Sequence, residues 1–247
     1  MMKKFFLLMA IALPLVFISC NDDEPAVSDG HEWVDLGLPS GTLWATCNVG
    51  ADSPEEYGDY FAWGETAPKD EYFWYNYKWA HWEYDTINDH YYIIKEETWY
   101  KYFQENVTEN GSVRGDRKTE LDPEDDAASV NWGSRWRTPT LEQFQELLTR
   151  CDWQWVEKDT VNGFTVTGPN GKSIFLPTVG LYSSEILNAG KFAYYWSSTR
   201  CPSNLINLEH EYHAHAYILF FNSWKDQHIW YDARTVGHPV RAVRSRR

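Results

Sequence analysis

One stretch of this chain reads clearly as a helix, and almost everything around it reads as short strands. Leu141, Phe144, Leu147, Leu148 and Cys151 recur at three- and four-residue spacing, one apolar face of a helix over about 139–151. Two starts suit it: Thr138 with Pro139 as cap and first turn, or Thr140 with Gln143 as a capping box. A shorter helix is expected near 54–60, where Ser53 can cap, Pro54 suits the first helical position, and Glu55 and Glu56 face the positive dipole end. Short apolar runs follow the main helix at 153–157, 164–167, 174–176, 194–198, 214–221, 228–231 and 240–243, with Gly168-Pro169-Asn170-Gly171 as the strongest turn. Residues 30–51 read as strand, turn and strand around Pro39-Ser40-Gly41. One dominant helix among many short strands argues an α+β domain with a mostly antiparallel sheet.

The N-terminus gives an address. Lys3 and Lys4 precede an apolar run over 5–17 that is too short for an ordinary spanning helix. Phe17-Ile18-Ser19-Cys20 resembles the lipobox of bacterial lipoproteins. That resemblance implies a signal peptide over 1–19, cleavage before Cys20, and acylation of its thiol and new amino group. The membrane is then a partner through the lipid anchor, each buried methylene contributing about 0.8 kcal/mol. The plainer alternative is a signal peptide with an incidental cysteine. Residues 20–29 form a polar tether, in which Asn21-Asp22-Asp23-Glu24 resembles the surface-export signal of Bacteroidetes lipoproteins; acidic runs are otherwise solvated linkers. The expected location is the outer membrane, lipid-anchored and facing outward.

The formal charge of −14 becomes −16 once Lys3 and Lys4 leave with residues 1–19, so nucleic acid is not an expected partner. Residues 30–247 suit a single domain, whose basic end (Arg241, Arg244, Arg246, Arg247) reads as a solvated terminus. Aromatic residues make up 17% of the chain, with 14 Trp, a bias that fits either a loop-rich core or a sugar-binding surface. They crowd into 66–120, which lacks a clean period and reads as a long aromatic loop insertion, with a helical turn or two over 96–105 and turns at Asn110-Gly111 and Gly115-Asp116. Trp74, Trp79, Trp82 and Tyr84 are its expected ligand contacts, because rigid rings give contact area at low entropic cost. Cys47, Cys151 and Cys201 allow one bridge and one spare thiol; Cys47–Cys151 is the expected pair, three buried free thiols the alternative.

DLGLPSGTLWATCNVGA, YGDYFAWGET, LDPEDDAA, NWGSRWRTPTLEQFQELL, NGFTVTGPNGKSIFLP, YWSST and the closing PVRAVR together resemble the Fibrobacter major paralogous domain. That group belongs to the C-type lectin-like, formylglycine-generating-enzyme superfamily. The resemblance spans nearly all of 33–244 and implies a C-type lectin-like fold whose termini meet in one sheet, with a long loop region. It implies no settled activity. The enzyme branch uses a pair of cysteines near the C-terminus, whereas this chain has Cys201 alone there, so that activity is not expected. The sugar-binding motifs of calcium-dependent lectins, Glu-Pro-Asn-like and Trp-Asn-Asp, do not occur.

Asp122, Glu124, Asp125 and Asp126 are the best oxygen cluster for calcium, which takes six to eight oxygens; capping a turn before Ala127-Ala128 is the structural alternative. Glu211, His213 and His215 share strand parity and could hold zinc, with His210 facing the other way, although an exposed histidine-rich face is the preferred reading. Ser197 and Ser198 lack a nucleophile elbow and carry no triad. Asp85-Thr86-Ile87 and Asp159-Thr160-Val161 resemble the O-glycosylation sequon of Bacteroidetes. The expected function is a non-catalytic surface module for a glycan or protein ligand. The alternatives are a structural or assembly subunit of a surface complex and a metal-dependent enzyme.

Overall fold

The computed structural model describes residues 26–28, 30–87, 90–99, 101–102, 107–109, 112–114, 116–157, 161–202 and 215–246. For 26–28, 80–87, 90–99, 107–109 and 112–114 the description is of the backbone. Cys20, the acidic tether, Thr160, His210, Glu211 and His213 lie outside the described residues, as does the side chain of Thr86.

In chain order the strands are β1 (Ala26–Ser28), β2 (His31–Asp35), β3 (Thr42–Ala45), β4 (Ala80–Ile87), β5 (His90–Trp99), β6 (Val107–Glu109), β7 (Ser112–Arg114) and β8 (Trp136–Arg137). Then follow β9 (Asp152–Val156), β10 (Gly163–Thr167), β11 (Ser173–Pro177), β12 (Leu181–Tyr182), β13 (Ile186–Leu187), β14 (Phe192–Arg200), β15 (His215–Asn222), β16 (Gln227–Ala233) and β17 (Val243–Ser245). Two α-helices, α1 (Ala127–Trp132) and α2 (Leu141–Arg150), complete the set among the described residues. The strand pairs are antiparallel and fall into several small sheets, with few helices, an arrangement consistent with an α+β or a mostly-β chain. The largest sheet runs β1-β2-β3-β17-β8, so the two ends of the domain pair directly through β3 and β17.

Helix α2 starts at the Thr140–Gln143 capping box: Gln143 N–H donates to Thr140 Oγ1 and Thr140 N–H to Gln143 Oε1. Phe144 and Leu147 enter a core with Leu36, Trp44, Phe164, Leu176, Tyr195, Phe221 and Val243, while Leu148 and Cys151 flank it. Glu146 accepts from Ser40 N–H and Oγ, and Gln143 Nε2 donates to Thr42 Oγ1, which pins the helix to the Pro39-Ser40 turn and the start of β3. A second core holds Phe61, Trp63, Tyr102, Ala127, Ala128, Trp136, Trp196 and Ile218. Trp63 Nε1 donates to Ser197 O at 2.7 Å and Trp196 Nε1 to Phe61 O at 2.7 Å. A third, smaller cluster uses Tyr60, Tyr72 and Tyr77, whose hydroxyls donate to the carbonyls of Val179, Tyr60 and Trp63. Much of the aromatic excess is thereby a core requirement: irregular backbone leaves carbonyls that apolar rings with polar tips can satisfy.

Four expectations need correction. Residues 54–60 form a turn, closed by Glu56 N–H to Ser53 O, and not a helix. Gly58 sits at φ +73° against the Val49 carbonyl, turning the chain back so that Asp59 N–H reaches Val49 O. The region 66–120 is not one irregular loop: it holds the hairpins β4–β5 and β6–β7 and a 3-10 turn at Trp74–Asn76. The helical turn expected over 96–105 falls partly in β5, where Tyr91, Tyr92, Ile93, Ile94, Thr98 and Trp99 favour strand. Finally, Arg241 and Arg244 are buried. Arg241 ties the closing PVRAVR to the first strands, donating to Asn48 Oδ1 at 2.8 Å and to the Thr46 carbonyl at 2.6 Å.

Candidate functional site

One residue expected to contact ligand, Trp79, and three of those expected to hold metal, Asp122, Glu124 and Asp125, meet at the base of the β4–β5 hairpin. Trp79 immediately precedes β4, and Lys101 and Tyr102 follow β5 closely, with Ala80 paired to Trp99 across the base. The segment 121–126 packs against both ends. Asp125 is buried and accepts from Lys101 Nζ at 2.5 Å and from Tyr102 Oη at 2.8 Å on one oxygen, and from Lys78 Nζ at 3.3 Å on the other. Lys101 also contacts Asp122 at 2.7 Å and Glu124 at 3.4 Å, and Lys118 reaches Asp122 at 2.5 Å. Tyr102 accepts from the Asp122 backbone N–H at 2.9 Å. Burial opposes the Lys101 charge, yet its hydrogen bonds to Asp122 and Asp125 outweigh that and push the ammonium well above the usual lysine range. The bonds from Lys101 and Lys118 hold Asp122 below the usual carboxylate range. Burial pushes the Tyr102 phenol upward.

The carboxylate oxygens of Asp122, Glu124 and Asp125 lie within 4.8 Å of one another, so three of the four acids stand close together. Asp126 is the exception. Its carboxylate is spent on Ala128 N–H, Ser129 N–H, Thr138 N–H and Thr138 Oγ1, capping α1 and fastening it to the segment before α2. Burial pushes Asp126 above the usual range against those bonds. The remaining three acids fit calcium poorly. Three lysines already neutralise them, with the Lys101 ammonium at the position a cation would take, and the three acids reach calcium's minimum of six oxygens only if every one binds through both of its oxygens.

Trp79 is likewise committed internally and is not a free stacking surface. Its Nε1 donates to Gly64 O at 2.8 Å, its ring meets Tyr102 edge-on at 6.0 Å, and Lys78 Nζ lies 4.2 Å from its centroid. Gly64, at φ +79°, makes the approach feasible, since a Cβ there would stand 2.9 Å from Trp79 Nε1. Trp74 is half-buried against the tyrosine cluster and meets Tyr75 at 5.5 Å. Trp82 and Tyr84 lie on β4, opposite Glu96 and Ile93; their side chains are outside the described residues.

The expected Cys47–Cys151 bridge is not formed; both are free thiols, as is Cys201. The geometry gives the reason. Helix α2 touches the start of β3 through Gln143 and Thr42, whereas Cys47 lies past the far end of that strand. Cys47 instead lines a cavity of about 280 Å³ with His31, Glu32, Asp52 and Trp132. Burial raises all three thiols, Cys151 to about 11, which makes them poor nucleophiles at neutral pH. Ser197 Oγ donates to Tyr217 O, and Ser198 Oγ to Glu120, so neither serine is paired with a histidine in these bonds.

Sequence reasoning missed the lysine partners of the acids and a second aromatic surface. On β14–β16, Trp224 and Trp230 are the most exposed of the large apolar side chains among the described residues. Trp224 meets Phe192 at 5.3 Å, and Phe220 meets His228 at 4.9 Å beside Trp230. The aromatics at 224 and 230 were visible in the sequence, but the contacts of Trp224 with Phe192 and of Phe220 with His228 need the strand register.

No family model matches this chain, and no curated protein or solved structure is significantly similar to it. No helix among the described residues is long and apolar enough to cross a membrane.

Proposed function

We propose that the chain is an outer-membrane lipoprotein, anchored through Cys20 and facing outward, whose C-type lectin-like domain is a non-catalytic binding module for a glycan or protein. The hairpin β4–β5 is its recognition element. The observation that carries this reading is how the hairpin is mounted: eight- and ten-residue strands leave a base held by Lys101, Asp125, Tyr102 and Trp79. A buried polar clamp of this kind fixes where the hairpin emerges, and preorganised presentation reduces the entropic cost of binding. Trp82 and Tyr84 remain the proposed contacts on it; Trp79 becomes a positioning residue.

The test is a variant in which 82–97 is replaced by a two-residue Asn-Gly turn, keeping Trp79, Lys101 and the acids. The parent and the variant are screened against a glycan array and an extracellular protein panel. Binding by the parent and its loss from a folded variant support the reading. A parent that binds nothing, or a variant that binds as well as the parent, rejects it.

A further inference from the structure

A cavity of about 280 Å³ opens between the start of β2, the chain just past β3, the turn at 51–54 and the end of α1. Part of its lining is aromatic. The His31 and Trp132 rings stack with centroids 3.9 Å apart and planes 13° apart, and the buried Trp136 meets both edge-on, at 6.2 Å and 5.2 Å. Glu32, Cys47, Asp52 and Ser53 line it as well. Glu32 and Asp52 are exposed, and neither has an ion-pair partner among the described residues. The turn that carries Asp52 is held in place: Ala51 N–H donates to Asn48 O at 3.0 Å and Asp52 N–H to Glu56 Oε2 at 2.7 Å. Rings and turn are therefore set before a ligand arrives, which lowers the entropic cost of binding.

The volume falls just below the range of about 300–1,000 Å³ usual for small-molecule sites, so the occupant is small. A metal ion does not suit the lining. Among the described residues only Asp122, Glu124 and Asp125 bring three ligand atoms within 4.8 Å, so His31, Glu32, Cys47 and Asp52 stand too far apart to share one. An anion would meet two carboxylates on a chain of formal charge −14. Apart from the His31 imidazole, no basic side chain lines the cavity. Arg241 reaches the wall only from the core, fully buried, and donates to Asn48 Oδ1 and to the carbonyls of Ala45 and Thr46. Burial raises the Cys47 thiol, against Thr46 and Arg241, and the charges of Glu32 and Glu56 add to the rise, so the wall at Cys47 is uncharged within a negative field. A positive group fits such a lining. Its hydrogens find acceptor-only carboxylates, and its charge is attracted to the aromatic rings.

We propose that this cavity binds a small organic ammonium ion, its charge held by Glu32 and Asp52 and its carbon skeleton resting against the stacked Trp132 and His31. Such a group is carried by a choline or ethanolamine headgroup or by an amino sugar. None of the lining residues belongs to the β4–β5 hairpin or to the clamp at its base, so the site does not rest on the binding-module reading.

The experiment titrates the ¹⁵N-labelled full chain at neutral pH with choline chloride, ethanolamine hydrochloride and glucosamine hydrochloride. Sodium chloride at matched ionic strength and glucose are the controls. The Trp132 Nε1–H resonance, assigned with Trp132→Phe, and the backbone amides of His31, Cys47 and Ser53 are followed. Saturable shifts with at least one ammonium ion and with neither control are expected. Glu32→Gln and Asp52→Asn change exposed side chains and leave the core intact. Each should weaken binding about two- to fivefold, as loss of an exposed ion pair does. Tighter binding of glucosamine identifies an amino sugar as the source, and tighter binding of choline or ethanolamine identifies a headgroup; either supports the site. Absence of a saturable shift with every ammonium ion, the same shift with glucose or with sodium chloride, or undiminished affinity when both acids are replaced overturns it. Titration of the parent alone can reject the site, so misfolding of a variant does not protect it. A negative result leaves the hairpin test unaffected, and failure of the hairpin test leaves this one standing.

Discussion

Replacing Asp125 by alanine tests whether the acidic cluster is a clamp or a metal site. Asp125 is 2% exposed, and one of its oxygens accepts from Lys101 at 2.5 Å and Tyr102 at 2.8 Å. Without it the hydroxyl of the fully buried Tyr102 loses its acceptor, a loss of about 1–3 kcal/mol. Lys101 keeps Asp122 at 2.7 Å and Glu124 at 3.4 Å and is 20% exposed. Its share is therefore no more than about 1 kcal/mol. Lys78 is half exposed and adds little. The sum is about 1–4 kcal/mol, which in a domain of this size lowers Tm by roughly 2–16 °C. Tyr102→Phe removes the donor but leaves Asp125 its two lysines, and it strands only the part-buried Asp122 N–H, so it should cost less than Asp125→Ala. The assay is thermal unfolding of the parent and both variants, with and without EDTA. Hydrogen exchange should accelerate at Ala80 and Trp99, the paired base of the hairpin, before it does in α2. An unchanged Tm for Asp125→Ala refutes the clamp. So does a parent that loses a similar amount in EDTA and recovers it with calcium.

Three further outcomes are expected. Asp126→Ala removes both the α1 cap and the acceptor for Thr138 N–H and Oγ1, and should cost about 2–4 kcal/mol by chemical denaturation; a cost below about 0.5 kcal/mol contradicts the assignment. Burial raises Asp232, but its hydrogen bond to His238 Nε2 at 2.9 Å prevails and depresses it. Its stabilisation is then present above the ordinary carboxylate range and lost as pH falls below about 4, so Asp232→Asn should flatten the acid limb of the stability profile, and an unaltered limb argues against it. Mass spectrometry after alkylation under denaturing, non-reducing conditions should label Cys47, Cys151 and Cys201 alike, whereas protection of one pair would reveal a bridge.

Legibility in the sequence follows from how local each cause is. Helix α2 was readable because its apolar stripe and its capping box lie within a dozen residues. Strands β9 to β11 were readable because turns separate them and because their pairings are consecutive, β9 with β10 and β10 with β11. The β4–β5 hairpin was not readable. Its register shifts between His81 and Trp82 and again between Glu83 and Tyr84, and each irregularity disturbs the two-residue alternation that marks a strand. Glu55 and Glu56 read as a helix start because the sequence does not reveal Gly58 packed on the Val49 carbonyl.

Charge misled for a related reason. An arginine near a chain end is usually solvated, and Arg241 is buried here because the carbonyls of Ala45 and Thr46, far away in sequence, need donors. Lysines and acids invert in the same way at the hairpin base. LDPEDDAA offered oxygens in a row, and the local pattern allowed a metal, a solvated turn or a cap. Tertiary structure divides the row: Asp126 turns inward to Thr138, while Asp122, Glu124 and Asp125 meet Lys101 across the end of the hairpin. Side chains four residues apart or fewer thus perform two separate tasks, one closing the core beside α1 and one fixing where the hairpin leaves the domain. That division assigns them opposite sensitivities: Asp126 substitutions should loosen the α1–Thr138 junction, whereas Asp125 substitutions should loosen the hairpin base first.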